Sequence, residues 1–95
     1  LLNNKTLTAI AGAVTTQSTS GLPTFNVYNL RGGWNMLTTA LTIDANETDS
    51  STATTAAVID TASSHNVVTT ADQLRIDCSV NGTGTKGVII EMTFG

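Results

Sequence analysis

The sequence predicts an all-β domain, an antiparallel sandwich or barrel of about seven to eight short strands. Three observations carry the prediction. Apolar residues recur at every second position in most candidate elements, the period of a half-buried strand. Turn-forming clusters separate these runs roughly every 8–12 residues. The composition also favours strands: 19 of the 95 residues are threonine, against four Lys plus Arg and seven Asp plus Glu. Threonine is β-branched and polar and suits the solvent face of a strand. Lys and Glu, the usual residues of exposed helices, are scarce.

Residues 5–15 alternate imperfectly and carry no helix cap, so they read as the first strand. Gln17-Ser18-Thr19-Ser20-Gly21 is turn-forming. Pro23 has no N–H for a ladder and belongs at the start or edge of a strand. Thr24 to Leu30 reads as the second strand, with Phe25 and Val27 on one face and Asn26 and Tyr28 on the other. Asn29 then falls on the inward phase and Leu30 on the outward one, so a bulge is expected there. Arg31-Gly32-Gly33 is a turn. Trp34 to Thr38, continued by Ala40 to Asp44, forms a further strand with Leu41 and Ile43 on one face.

Residues 44–52 are a polar loop. In residues 53–62 alanine permits helix, but the threonines and Val58-Ile59 favour strand or extended chain. Residues 63–66 form a turn, Val67-Val68 a short strand, and Thr70-Ala71-Asp72 the turn that follows. The clearest alternation is at the C-terminus. Leu74, Ile76, Cys78 and Val80 share one face, as do Val88, Ile90, Met92 and Phe94. Asn81-Gly82-Thr83-Gly84-Thr85-Lys86-Gly87 lies between, so the segment reads as a β-hairpin. Cys78 is then a small buried hydrophobe, while Ile89 points away from the core. The form Leu-x-Ile-Asp occurs at Leu41 to Asp44 and at Leu74 to Asp77, as if on equivalent strands of two sheets.

The length fits one domain over residues 1–95, or the C-terminal part of a longer chain. Leu1-Leu2-Asn3-Asn4 offers no initiator Met, basic n-region or apolar h-region. Only Phe25, Tyr28, Trp34 and Phe94 are aromatic. The core is therefore thin, a condition often relieved by oligomerisation. A net charge of −3, with Lys5, Arg31, Arg75 and Lys86 scattered, lacks the basic footprint of nucleic-acid binding. No run of apolar residues is long enough to span a membrane. One cysteine allows no intrachain disulfide.

Candidate chemistry is sparse. Asp44, Asn46, Glu47 and Asp49 could offer oxygens to Ca²⁺, but the order of an EF-hand loop and its central Gly are missing. They read as a solvated turn. His65 with Ser63 or Ser64 and Asp60 or Asp72 has the composition of a triad. Neighbours in one turn do not give a nucleophile, a base and an orienting group their required placement. One His and one buried Cys fall short of a zinc site. The glycine-rich segment 81–87 is followed by a strand and not by the helix a phosphate loop needs. Asn4-Lys5-Thr6, Asn46-Glu47-Thr48 and Asn81-Gly82-Thr83 are glycosylation sequons, which arise often by chance in such a composition. No catalytic residue, metal or cofactor is expected, and the chain reads as a non-enzyme. Leu30, Trp34 and Ile89 are candidate subunit or partner contacts. Tyr28 and Trp34 are the candidates for the alternative, a glycan-stacking surface on a carbohydrate-binding sandwich.

Several stretches together resemble a family. Met36-Leu37-Thr38-Thr39-Ala40-Leu41-Thr42-Ile43-Asp44 is followed by Glu47, Ser50-Ser51-Thr52-Ala53 and Ala57-Val58-Ile59. Later come Asp72-Gln73-Leu74-Arg75-Ile76-Asp77 and Gly82-Thr83-Gly84-Thr85-Lys86-Gly87-Val88. In order and spacing they resemble the small β-sandwich domains of tailed-bacteriophage virion proteins, over roughly residues 6–95. The Pro common in that family's Ala-rich segment is Ala56 here. The resemblance implies a jelly-roll-type module used in capsid decoration, head fibres or tail appendages, often as a homotrimer. It implies a virion location, with sister subunits and other virion proteins as partners, and for the alternative a host-surface glycan. It carries no catalytic residue.

Overall fold

The computed structural model describes residues 5–69 and 72–95. They form an all-β, sandwich-like structure of antiparallel sheets with one short 3₁₀ turn at Ala62–Ser64. The strands are β1 (Lys5–Thr16), β2 (Thr24–Asn29), β3 (Trp34–Asn35), β4 (Leu37–Thr39), β5 (Leu41–Thr42), β6 (Val58–Ile59), β7 (Val67–Val68), β8 (Leu74–Val80) and β9 (Lys86–Phe94).

The pairing is nested: the first strand meets the last, and the second meets the penultimate. β1 pairs with β9 from Leu7↔Phe94 to Thr16↔Lys86. β2 pairs with β8 from Asn29↔Leu74 to Thr24↔Val80. The two pairs are continuous across the bend. Thr19 N–H donates to the Thr83 carbonyl at 3.0 Å, and Thr83 N–H donates to the Ser20 carbonyl at 3.0 Å. The buried Ser18 hydroxyl accepts from Thr83 N–H at 3.0 Å. One long antiparallel ribbon therefore folds over itself at residues 17–23 and 81–85. Gly82, at φ 71°, lies where a side chain would run into the Ser18 hydroxyl.

This corrects the expected closing hairpin. β8 and β9 alternate as predicted but belong to different sheets. Alternation specifies which face a residue takes and leaves the neighbouring strand open. Here the neighbours are β2 and β1, more than forty residues distant in sequence. The Leu-x-Ile-Asp echo is corrected likewise. β5 and β8 lie in one sheet, both paired to β2.

The core holds Leu7 and Val14 of β1, Phe25 and Val27 of β2, and Met36, Leu37, Leu41, Ile43 and Val68. β1 crosses above β5: a Cβ placed on Gly12 would stand 3.0 Å from a Leu41 methyl. The expected single strand from Trp34 to Asp44 is broken into three. β3 and β5 pair with β2, whereas β4 between them pairs with β6. No bulge forms at Asn29. The strand ends there, and Asn29 is completely buried. Its Oδ1 accepts from Gly32 N–H at 3.0 Å, and its Nδ2 donates to Asp72 at 3.1 Å. A buried polar residue replaces the expected bulge because both ends of its amide are satisfied. Of the expected turn at Thr70-Ala71-Asp72, the first two residues lie outside the described residues, as does Asn4 of the first sequon.

Candidate assembly surface

The inward row of β8 behaves unlike that of its neighbour. Phe25, Val27 and Asn29 of β2 are buried. Opposite them on the same face stand Cys78, Ile76 and Leu74. Leu74 packs on the core, but Ile76 is 40% exposed. Val80, past a bulge that pairs it with Thr24, is 45% exposed. Cys78 is exposed as well, against the expectation of a buried thiol. Its Sγ lies 3.0 Å from the Asn81 side-chain oxygen.

β9 shows the same split. Ile90, Met92 and Phe94 pack against the core, whereas Val88 on the same face is 46% exposed. With β1 above β5, the upper sheet reaches with β9 across the core but not over the far end of the lower sheet. Among the described residues no element covers the inward face of β8 at Ile76 and Cys78. Among the described residues β8 pairs only with β2 and β9 only with β1, so each has a free edge. Such edges and uncovered rows invite another chain.

Ile89 is 59% exposed on the outer face of β9. With Ala11, Gly12, Ala13, Asp49 and Glu91 it lines a shallow trough of about 210 Å³. Leu30 is exposed at the turn after β2. Trp34, paired with Asn29 across the same turn, is half-buried and packs on the core.

The two glycan candidates have occupied rings. The His65 imidazole stacks on Trp34 with ring centroids 4.7 Å apart. Trp34 Nε1 donates to the His65 carbonyl at 2.9 Å. A Cβ on Gly32 would stand 2.5–2.7 Å from three consecutive atoms of the indole six-ring, so that glycine lies against the ring. Tyr28 carries the Arg75 guanidinium over its ring at 4.9 Å.

His65 is more constrained than a free loop histidine. Its Nδ1 lies 2.7 Å from Asp60 Oδ2. That hydrogen bond, with one from Ala62 N–H, holds the Asp60 carboxyl below its ordinary range. Asp72 is engaged elsewhere, with Asn29, Arg31 and Thr69. Ser63 and Ser64 have left-handed backbones, at φ 52° and 60°.

The acidic loop turns its oxygens to its own hydroxyls and amides. Asp44 accepts from the N–H and hydroxyl of Thr54, Asp49 from those of Ser51, and Glu47 from the Thr52 hydroxyl. The Ser51 hydroxyl, then its N–H, lowers the Asp49 carboxyl below the usual aspartate range. No group of three His, Cys, Asp or Glu side chains placed to hold a metal occurs among the described residues. No helix among them is long and apolar enough to cross a membrane.

Sequence reasoning singled out Ile89 but missed Ile76, Val80 and Val88 as surface residues. Their alternation marked them as core, and only the fold shows that nothing among the described residues covers them. Compared with protein families, curated proteins and solved structures, the chain has no match.

Proposed function

We propose that this chain is a structural module of a tailed-bacteriophage virion, a capsid-decoration or fibre-type domain that works by protein–protein assembly as a homotrimer. The observation that carries the reading is the exposed pair Ile76 and Cys78 on the inward face of β8, with exposed Val80 and Val88 and with strand edges of β8 and β9 that are free among the described residues. Isolated exposed apolar residues are ordinary, but a group of them beside free strand edges is a subunit-contact feature. The nested pairing of β1 with β9 and β2 with β8 supports a jelly-roll winding, in which a long ribbon folds over itself. The sequence resemblance supplies the virion setting. The partners are sister copies and the surface of another virion protein.

Light scattering on the purified chain, with electron-microscopic labelling of the parent particle, tests the proposal. A trimeric mass and label on the head or tail surface are expected. A monomer at every concentration, or a particle without label, refutes it.

A further inference from the structure

We infer that Asn81-Gly82, at the bend between the two sheets, is a site of spontaneous covalent modification. The asparagine cyclises onto the next amide and converts to aspartate and isoaspartate, and the isoaspartyl form unpins the bend. This goes beyond the assembly proposed above and does not rest on it.

Ring closure needs an asparagine whose side-chain carbonyl carbon the following amide nitrogen can reach. A Cβ on the following residue hinders that approach, and glycine alone has none. Here the bend itself demands the glycine. Gly82 has φ 71°, and a side chain there would run into the Ser18 hydroxyl. Asn81 is exposed and lies just past the end of β8. Among the described residues Gly82 N–H donates no hydrogen bond, so no acceptor holds the attacking nitrogen back. Asn81 Oδ1 lies 3.0 Å from Cys78 Sγ, within reach of the thiol proton, whose other acceptor is the Val80 carbonyl at 3.3 Å. Donation to Oδ1 draws electron density from Cγ and favours attack there. Every other described asparagine precedes a residue with a side chain, and Asn29 and Asn66 are buried besides.

The step balances with water alone. Gly82 N gives its proton to solvent base and bonds to Asn81 Cγ. The Cγ–Nδ2 bond breaks, and the amide nitrogen takes a proton from water and leaves as ammonia. Water then opens the cyclic imide. Cleavage at Cγ leaves aspartate, and cleavage at the main-chain carbonyl leaves isoaspartate. Isoaspartate routes the chain through the former side chain and lengthens it by a methylene before Gly82. Thr83 follows directly, and it carries the pins of the bend. Its N–H donates to the Ser20 carbonyl and the Ser18 hydroxyl, and its carbonyl accepts from Thr19 N–H, each at 3.0 Å. A longer link displaces all of them, whereas aspartate keeps the backbone and the pins.

The test incubates the purified chain in mildly alkaline buffer, beside an unstructured synthetic peptide of residues 79–85, with peptide-mapping mass spectrometry. Conversion at Asn81 is expected ahead of every other asparagine, and Asn81→Gln should abolish it. Cys78→Ala should slow it; an unchanged rate removes the thiol from the reaction. The isoaspartyl form, isolated by ion exchange, should exchange its Thr19 and Thr83 amide hydrogens roughly tenfold faster than the unmodified chain. The aspartyl form should match the unmodified chain. A folded chain still intact at Asn81 when the peptide has converted overturns the site. Unchanged protection of Thr19 and Thr83 in the isoaspartyl form overturns the unpinning.

Discussion

Asn29→Ala isolates the one fully buried polar side chain that ends a core strand. The change removes an acceptor from Gly32 N–H and a donor to Asp72. It also leaves a void at a fully buried position, where the chain turns from β2 into β3. Two buried hydrogen bonds lost, one of them to a carboxylate, with a small cavity, cost about 2–4 kcal/mol. A domain of this length has roughly 5–14 kcal/mol in total. The variant should therefore melt roughly 10–20 °C below wild type. Urea titration followed by circular dichroism gives the free energy directly. The Asp72→Ala background supplies the control: there the cost of Asn29→Ala should shrink, because one of its two bonds is already gone. A loss below about 1 kcal/mol, or an equal loss in both backgrounds, refutes the account of Asn29 as a satisfied buried anchor.

The remaining predictions concern charge, packing and the aromatic pair. The Asp72 carboxyl is held below its ordinary value chiefly by Thr69 N–H, then by the Asn29 amide and the Arg31 guanidinium. Its folded value is depressed, so its stabilisation is complete above the unfolded aspartate value of about 3.9. It is lost as pH falls through the folded value. Asp72→Asn should accordingly flatten the acid limb of a stability-versus-pH curve. Gly12→Val forces a branched side chain against Leu41 and should cost about 1–3 kcal/mol by overpacking, measured by thermal melting. Gly32→Ala should push Trp34 from its place and change its near-ultraviolet circular dichroism, with the far-ultraviolet spectrum retained. On a glycan array Trp34→Ala should change nothing, since the ring is already stacked on His65; binding that depends on Trp34 would revive the carbohydrate reading.

Much of the fold was legible because strand faces depend on local alternation. Leu41 and Ile43, Phe25 and Val27, and Ile90, Met92 and Phe94 all take the faces that their spacing predicts. The pairing was not legible, because it depends on contacts between the two ends of the chain. The glycines at 82, 84 and 87 all have positive φ, which a tight hairpin would also require. They serve instead a crossing between sheets, pinned by Ser18. The role of Ser18 had no local sign, since a serine in a polar cluster reads as turn surface. The Asp60–His65–Trp34 contact was equally hidden, because it joins a turn to a strand some thirty residues earlier.

The two Leu-x-Ile-Asp segments sharpen the point about assembly. Their patterns are identical, and both pair with β2 from opposite edges. Yet Ile43 is fully buried and Ile76 is 40% exposed. Nothing in the side chains accounts for the difference; the cover does. β1 lies above one segment, and no element among the described residues lies above the other. Exposing a core-like row costs about 25 cal/mol for each Å² that could have been buried. A polar residue at 76 or 80 would remove that cost in a monomer without disturbing the alternation of β8. Under the proposed assembly, apolar residues at Ile76, Cys78 and Val80 are what a core completed by another copy requires. Ile76→Thr should raise the solubility of the isolated chain, leave its melting temperature within a few degrees of wild type, and weaken its self-association. A variant that melts far lower at high dilution would place Ile76 in the core of the single subunit and undo the distinction.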